Sequence, residues 1–233
     1  MRIGTAYRAY SFLFTHRVAE HRMDCKFHEL TYNLHLLRPL GIEIDWLPPR
    51  LVPPRDALAE ARKMLHDKGI AENKAIVLHP GSKGSSLKWG AEHFRRLGEL
   101  IVRHGIPLLV TAGDDEESLA EYVAGERGIV ICGLNLKTLA ALYTLAVAVV
   151  APNTGTLHLA DAVGTRAFCV YPALRTMSPA RWAPANFPGG AIVPQREICA
   201  KCSRSCGIYP CPDAVTPQQV FQKMAIFLEQ IGG

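Results

Sequence analysis

Two short stretches of the chain carry residue types suited to holding an anion. His79 to Trp89, HPGSKGSSLKW, contains Gly81, Ser82 and Gly84, whose small size lets backbone amides approach a phosphate, while Lys83 and Lys88 supply positive charge. The second, PNTGTLHLADA, sets Asn153, Thr154 and Gly155 at a helix start, where free N–H groups and the positive helix end favour an anion. His158 follows three residues into that helix, positioned to face a bound phosphate or hydroxyl. Each stretch also has a plainer reading, as a glycine-rich surface loop and as a histidine packed on its own helix. Both turns facing one cleft would be more specific than either, because a diphosphate needs two such contacts. The first turn does not follow the Walker pattern G-x-x-x-x-G-K-S/T, so no ATP hydrolase is implied.

Further groups could do chemistry. The acidic run Asp114, Asp115, Glu116 and Glu117 opens a helix, where carboxylates complement the dipole or hydrogen-bond ribose hydroxyls. YPALRTMSPARW holds Arg175, Arg181 and Trp182, with arginines to meet a substrate phosphate or a tryptophan that simply packs. His16, His21, His28 and His35 recur at spacings of five, seven and seven; this is a metal or acid/base cluster, or two histidines sharing a helical face. Arg8, Arg17 and Arg22 are alternative phosphate contacts. Cys199, Cys202, Cys206 and Cys211 form C-x2-C-x3-C-x4-C within thirteen residues. Four thiolates so close suit a structural zinc ion, an iron–sulfur site, or reduced or disulfide-linked thiols, although the spacing is not that of a zinc ribbon. Cys25, Cys132 and Cys169 stand alone and read as small core residues.

These residues need elements to position them. In residues 1–50, IGTAY reads as a short strand and HELTYNLHLLRPLG as a helix with Leu30, Leu34, Leu37 and Leu40 on its apolar face, stopped by Gly41. LPPRLVPPR, residues 47–55, has four prolines and reads as an extended linker. Beyond it, helices and strands alternate: DALAEARKMLHDKG, KAIVLHPG, AEHFRRLGELIVRHG, PLLVTAG, SLAEYVAGE, GIVICG, LKTLAALYTLA, VAVVAP, GTLHLADAVG and RAFCVYP. Five short strands rich in Val, Ile and Leu, separated by amphipathic helices, predict a doubly wound, Rossmann-like parallel sheet covered on both faces. The pattern lapses after Pro172 and resumes in a last helix that Thr216 caps and Pro217 begins. The domains expected are 1–50, the remnant of a preceding domain with the linker; 51–215, the Rossmann-like domain with its Cys-rich loop 199–211; and the helix 216–233. Ligands in such sheets bind beyond the carboxyl ends of the strands, where both anion-friendly turns fall.

The composition agrees. The 233 residues are 48% hydrophobic and 20% charged, which excludes disorder, collagen and coiled coil and allows one or two domains. The longest apolar run, Leu139 to Ala151, is too short to span a membrane, a task that takes about 20 residues. The N-terminus lacks a secretory signal pattern, so a cytoplasmic protein with reduced cysteines is expected. Net charge is +5, with sixteen Lys or Arg against eleven Asp or Glu in residues 1–100. That excess suggests an anionic small molecule, or a merely solvated surface, and not nucleic acid, because no dense basic stripe interleaves with aromatics.

KAIVLHPGSKGSSLKW, LLVTAGDDEE and LKTLAALYTLAVAVVAPNTGTLHLADAVG, in this order and spacing, resemble the C-terminal half of family-9 glycosyltransferases, the ADP-heptose:lipopolysaccharide heptosyltransferases. FHELTYNLHLLRPLGIE resembles the end of that family's first domain, so the likeness covers nearly the whole chain. It implies the GT-B fold, in which the C-terminal domain holds a nucleotide-sugar donor and the N-terminal domain a lipid-linked saccharide acceptor, at the inner face of the inner membrane. It implies inverting heptose transfer with no metal or cofactor required. Lys88 would neutralise the donor diphosphate, with Ser85 and Asn153 also on the donor side. Thr154, Gly155 and His158 would line the phosphate and sugar, Leu136 and Lys137 flank the base, and one of Asp114 to Glu116 touch the ribose. Lys88 and His158 are thereby the expected catalytic residues, and Arg175 and Arg181 the acceptor-side ones.

Two departures from the family pattern stand out. Asn153 replaces a common Asp, and the strand and glycine-rich turn that carry the family's proposed general base have no counterpart after Met1. Donor binding with little transfer by this chain alone is the resulting expectation. A non-catalytic nucleotide-sugar-binding module is the alternative; a zinc-dependent nucleic-acid or interaction protein is disfavoured, since the cysteines occupy only thirteen residues.

Overall fold

The computed structural model describes residues 1–82, 84, 87–202, 206 and 209–228. Its centre is a six-stranded sheet of β3 (Ile76–Leu78), β4 (Leu108–Ala112), β5 (Ile129–Cys132), β6 (Ala148–Val150), β7 (Arg166–Val170) and β8 (Ala191–Ile192). The spatial order is β5-β4-β3-β6-β7-β8 and every pairing is parallel. Counted from β3, this is the 3-2-1-4-5-6 order of a dinucleotide-binding fold, whose direction of winding reverses between β3 and β6.

The strands read as unbroken apolar runs because both their faces are buried. Val77, Leu109 and Val149 point into one core, and their neighbours Ile76, Leu78, Val110, Ala148 and Val150 into the other. The first core is closed by α2 (Arg55–Asp67), α5 (Leu136–Thr144) and α6 (Gly155–Ala162). α2 buries Ala57, Ala61 and Leu65, four residues apart on one stripe. The second core is closed by α3 (Ala91–Arg103), α4 (Glu117–Ala124) and α8 (Pro217–Leu228), whose Val220 and Met224 are fully buried. Gly98 inside α3 is required by packing: a Cβ there would stand 2.9 Å from Leu108 Cδ2 and 3.3 Å from the Val123 carbonyl, so α3 comes closer to the sheet than any larger residue allows.

Residues 1–54 flank this unit. β1 (Ile3–Thr5) and β2 (His16–Val18) form a separate two-stranded parallel sheet, with Ile3 opposite His16 and Thr5 opposite Val18. The helix expected over HELTYNLHLLRPLG is shorter than its apolar spacing predicts. α1 spans Glu29–His35 only, and a separate 3-10 turn, Arg38–Leu40, follows. Pro39 disfavours helical backbone in the residue before it and lacks the N–H that would continue the ladder. The face that α1 buries is Thr31, Tyr32 and His35, and not the leucines, of which Leu40 is exposed. Residues 47–54 have no regular structure, as expected, yet are tethered: Leu51 N–H donates to the Ala162 carbonyl at 2.8 Å, and Asn186 Nδ2 to the Pro49 carbonyl at 3.0 Å.

Two strands were not foreseen. β2 carries the sequence HRV, and β8 is two residues between Pro/Gly-rich turns, so neither is long enough to show a period. Of the isolated cysteines, Cys169 is buried as expected, while Cys25 and Cys132 are half-buried. Among the described residues no helix is long and apolar enough to cross a membrane.

Candidate functional site

The reversal of winding brings both anion-friendly turns to one place. Leu78 and Val150 are register partners at the ends of β3 and β6, and the next residue, His79, donates its backbone N–H to the Val150 carbonyl at 2.9 Å. The turn from Pro80 and the turn from Ala151 therefore leave the sheet side by side.

On the first turn, half-buried Lys88 folds back so that its Nζ donates to the Pro80 carbonyl at 3.4 Å, placing the ammonium over the end of β3. Trp89 is buried and its Nε1–H donates to the Val215 carbonyl at 2.9 Å, fixing where Lys88 starts. Ser85 and Lys83 lie outside the described residues. On the second turn, Thr154 precedes α6, and its hydroxyl meets that of Thr156 at 3.0 Å. Gly155 is exposed at the first position of the helix. Asn153 is half-buried beside it.

His158 lies in the first turns of α6, its ring 6.2 Å from that of Trp182. Burial pushes its pKa down; the Asp161 carboxylate opposes this and nearby His28 adds to it. The ring is thus biased towards the neutral form, a hydrogen-bonding group and not a cation.

The acidic run divides. Asp114–Glu116 forms a 3-10 turn ahead of α4. Glu116 turns towards the glycine loop, where its Oε1 accepts the Ser82 N–H at 3.2 Å, and a methyl on Gly81 would overlap its carboxylate. The carboxylate therefore takes an amide of the very loop suited to a phosphate. Asp114 lies instead against Gly133, which has a left-handed φ of +70° and follows β5; a Cβ there would stand 2.8 Å from Asp114 Oδ1. Leu136 and Lys137 are both exposed at the start of α5. Asn135 caps that helix, accepting from the amides of Lys137 and Thr138 at 3.0 Å each.

The two arginines expected on the acceptor side behave differently from one another. Arg175 is exposed on a 3-10 turn after β7. Arg181, in α7 (Pro179–Trp182), is largely enclosed: Nε and Nη2 both reach Glu29 Oε2 at 2.8 Å, and the guanidinium lies 4.9 Å over the Trp182 ring. Arg22 also pairs with Glu29, so one carboxylate ties two arginines and joins α1 to the large sheet unit. Trp182 packs against the first core, its Nε1–H donating to the Thr176 carbonyl at 3.0 Å.

Two histidines of the series make structural contacts. His28 caps α1 by accepting the Leu30 N–H at 3.1 Å, with its other nitrogen 2.8 Å from the Ala183 carbonyl, and buried His35 lies between Glu20 and Asp45 at 2.6 and 3.0 Å.

Two groups at the site carried no assigned role in the sequence reading. His79 is buried at the end of β3, its Nδ1 3.0 Å from Thr111 Oγ1, and burial pushes its pKa down to about 4 against a partly restoring Glu116. Its place as the first residue of HPGSKG was the available signal. Buried Asp161 accepts the N–H groups of Ala185, Asn186 and Phe187 at 2.8–3.1 Å, holding the chain beyond α7 against α6.

The sequence profile of glycosyltransferase family 9 (heptosyltransferase) matches residues 1–208. The chain belongs to glycosyltransferase family 9. A Haemophilus influenzae protein provisionally described as a glycosyltransferase is 27% identical over 198 residues, which are 79% of this chain and 57% of that protein. Among solved structures, a family 9 glycosyltransferase from Veillonella parvula superposes with a TM-score of 0.79 at 18% identity, covering 97% of this chain and 67% of that one. Escherichia coli heptosyltransferase WaaC, solved with ADP, gives 0.63 at 19% identity, over 93% of this chain and 61% of its own. E. coli ADP-heptose lipopolysaccharide heptosyltransferase II gives 0.62 at 15% identity, over 83% and 57%. These family 9 neighbours are GT-B glycosyltransferases, and the parallel sheet described above is the Rossmann-like fold they share with this chain. The chain spans little more than half the length of the curated relative.

Proposed function

We propose that this family 9 chain holds the nucleoside-diphosphate sugar donor between the β3 and β6 turns, and serves transfer of a heptose from an ADP-heptose-type donor to the lipopolysaccharide inner core. The observation that carries this reading is the meeting of the two turns at the winding reversal, with Lys88 on one and the α6 N-terminus on the other. Charge grows on the departing diphosphate as the sugar leaves. An ammonium and converging backbone amides stabilise that charge most where it develops, and inverting transfer asks for this without a metal ion. Neutral His158 offers a hydrogen bond to the sugar or its phosphate. Leu136, Lys137 and Asp114 border the region assigned to base and ribose. Arg175 is the accessible acceptor-side cation, and Arg181 acts through Glu29 by placing α1. A cytoplasmic location at the inner membrane face suits a lipid-linked acceptor.

The test is calorimetric titration with ADP, UDP and GDP. ADP is expected to bind selectively, and Lys88→Ala to weaken it about 10- to 100-fold, the value of one charged hydrogen bond. Equal affinity for wild type and variant would overturn the role of Lys88, and no nucleotide binding would overturn the donor reading. Transfer from ADP-heptose to a lipid A–Kdo acceptor is assayed separately: ADP binding without transfer identifies a donor-binding module, and turnover places the whole reaction within these residues.

A further inference from the structure

Cys199, Cys202, Cys206 and Cys211 line one cavity of about 100 Å³, but among the described residues no three His, Cys, Asp or Glu side chains are placed to hold a metal ion. The acidic run has a sharper placement. β3 lies between β6 and β4, so the turn from Pro80 has the α6 turn on one side and the 3-10 turn Asp114–Glu116 on the other. The β4 side sends a carboxylate across: Glu116 Oε1 accepts the Ser82 N–H at 3.2 Å over a separation of 34 residues. Both Glu116 carboxylate oxygens lie over Gly81, where a Cβ would overlap them. Gly81 and Ser82 are buried and Glu116 is half-buried, so the contact is largely shielded from water. A glycine and a following amide that close around two carboxylate oxygens form a seat for an anion, and the anion in it belongs to the chain itself.

We infer that Glu116 is an internal competitor for the donor: its carboxylate and a donor phosphate take the Ser82 amide in turn. The inference rests on the donor reading above and adds a regulation of that same site. Two anions do not share one buried N–H, because like charges at that range repel and water screens them weakly there. Buried His79, one residue before Pro80, adds no compensating charge at neutral pH, since burial pushes its pKa down to about 4. The backbone of Glu116 is held separately, its N–H donating to the Gly113 carbonyl at 3.0 Å. Rotation about its side-chain bonds therefore frees the Ser82 amide and leaves the turn in place. The measured affinity for a diphosphate is then the intrinsic affinity multiplied by the fraction of chains whose seat is open.

The test titrates inorganic pyrophosphate and ADP calorimetrically into the full chain and into Glu116→Ala and Glu116→Gln, with circular dichroism as the check on folding. Pyrophosphate is the decisive probe, because it carries the diphosphate without base or ribose. It is expected to bind Glu116→Ala about tenfold more tightly than wild type, as for a seat open one time in ten, with Glu116→Gln in between. Glu117→Gln removes the same charge from the exposed neighbouring residue and is expected to bind as wild type does. A carboxylate that merely shaped the loop would give the opposite sign, weaker binding once it is removed. Should Glu116→Ala fail to fold, the isosteric Glu116→Gln carries the same comparison. ADP separates the two readings. ADP bound while pyrophosphate binding by the Glu116 variants is weaker than wild type, equal to it or absent overturns the inference alone. Neither ADP nor pyrophosphate bound by any of the proteins overturns the donor reading and the inference with it.

Discussion

At the scale of single residues, His79 and Glu116 decide how the first turn behaves. The unfolded chain takes up a proton on the His79 ring near pH 6.5, whereas the folded chain resists it until about pH 4, because the ring is buried beside Thr111. The unfolded state therefore binds more protons in that window, and stability falls as pH drops through it, by on the order of 3 kcal/mol for the full shift. Urea unfolding at pH 7 and pH 4.5 should show wild type losing more stability than His79→Gln; equal losses would refute the assignment. Gly81→Ala sets a methyl against the Glu116 carboxylate and is expected to destabilise by about 1–3 kcal/mol. Adding Glu116→Ala should recover part of that, and a double-mutant cycle by denaturant unfolding measures the coupling.

At the scale of elements, local chemistry and long-range packing agree in α8 and part company in α1. Thr216 and Gln219 form a reciprocal cap on α8: the Gln219 side chain accepts the Thr216 N–H at 2.8 Å, and the Thr216 hydroxyl accepts the Gln219 N–H at 3.3 Å. Thr216→Ala is expected to cost about 1 kcal/mol in thermal or denaturant unfolding, with Thr216→Ser retaining most of it. α8 rests on α3 through Val220 and Met224, so a frayed start loosens the second core. α1 has no such agreement. Its leucine spacing promises a long amphipathic helix, Pro39 ends it, and the buried positions go to Thr31, which donates to the Asp45 carbonyl, His35, which lies between Glu20 and Asp45, and Tyr32, whose hydroxyl accepts the Lys26 N–H.

At the scale of the whole molecule, Glu29 is the fastening between residues 1–46 and the sheet unit. Its carboxylate meets Arg22 from one side and Arg181 from the other, and Arg181 and Glu29 are only 13% and 14% exposed. Removing the charge leaves two arginines facing a neutral partner, a cost of about 2 kcal/mol after allowing for partial exposure. Glu29→Gln is therefore expected to speed trypsin cleavage within residues 1–46 by roughly tenfold or more, while the melting temperature of the sheet unit holds. Unchanged cleavage would mean that His28, which contacts the Ala183 carbonyl, suffices as the joint.

The parallel sheet was legible because each strand is buried on both faces, which forces local runs such as Ile76–Leu78 and Ala148–Val150, and because amphipathic helices must lie between parallel strands. The two turns were legible because glycine and a helix start advertise themselves in a few residues. What the chain alone did not reveal depends on strand order, which no local period encodes. Only the tertiary structure set β3 beside β6 and so joined Lys88 to the α6 turn. It also sent Glu116 to the Ser82 amide, paired Arg181 with Glu29 across 152 residues, and fixed Cys199 and Cys211 around a single cavity. β2 and β8 escaped notice for the same reason: strands of three and two residues are defined by the neighbours they pair with, and those neighbours are chosen by the fold.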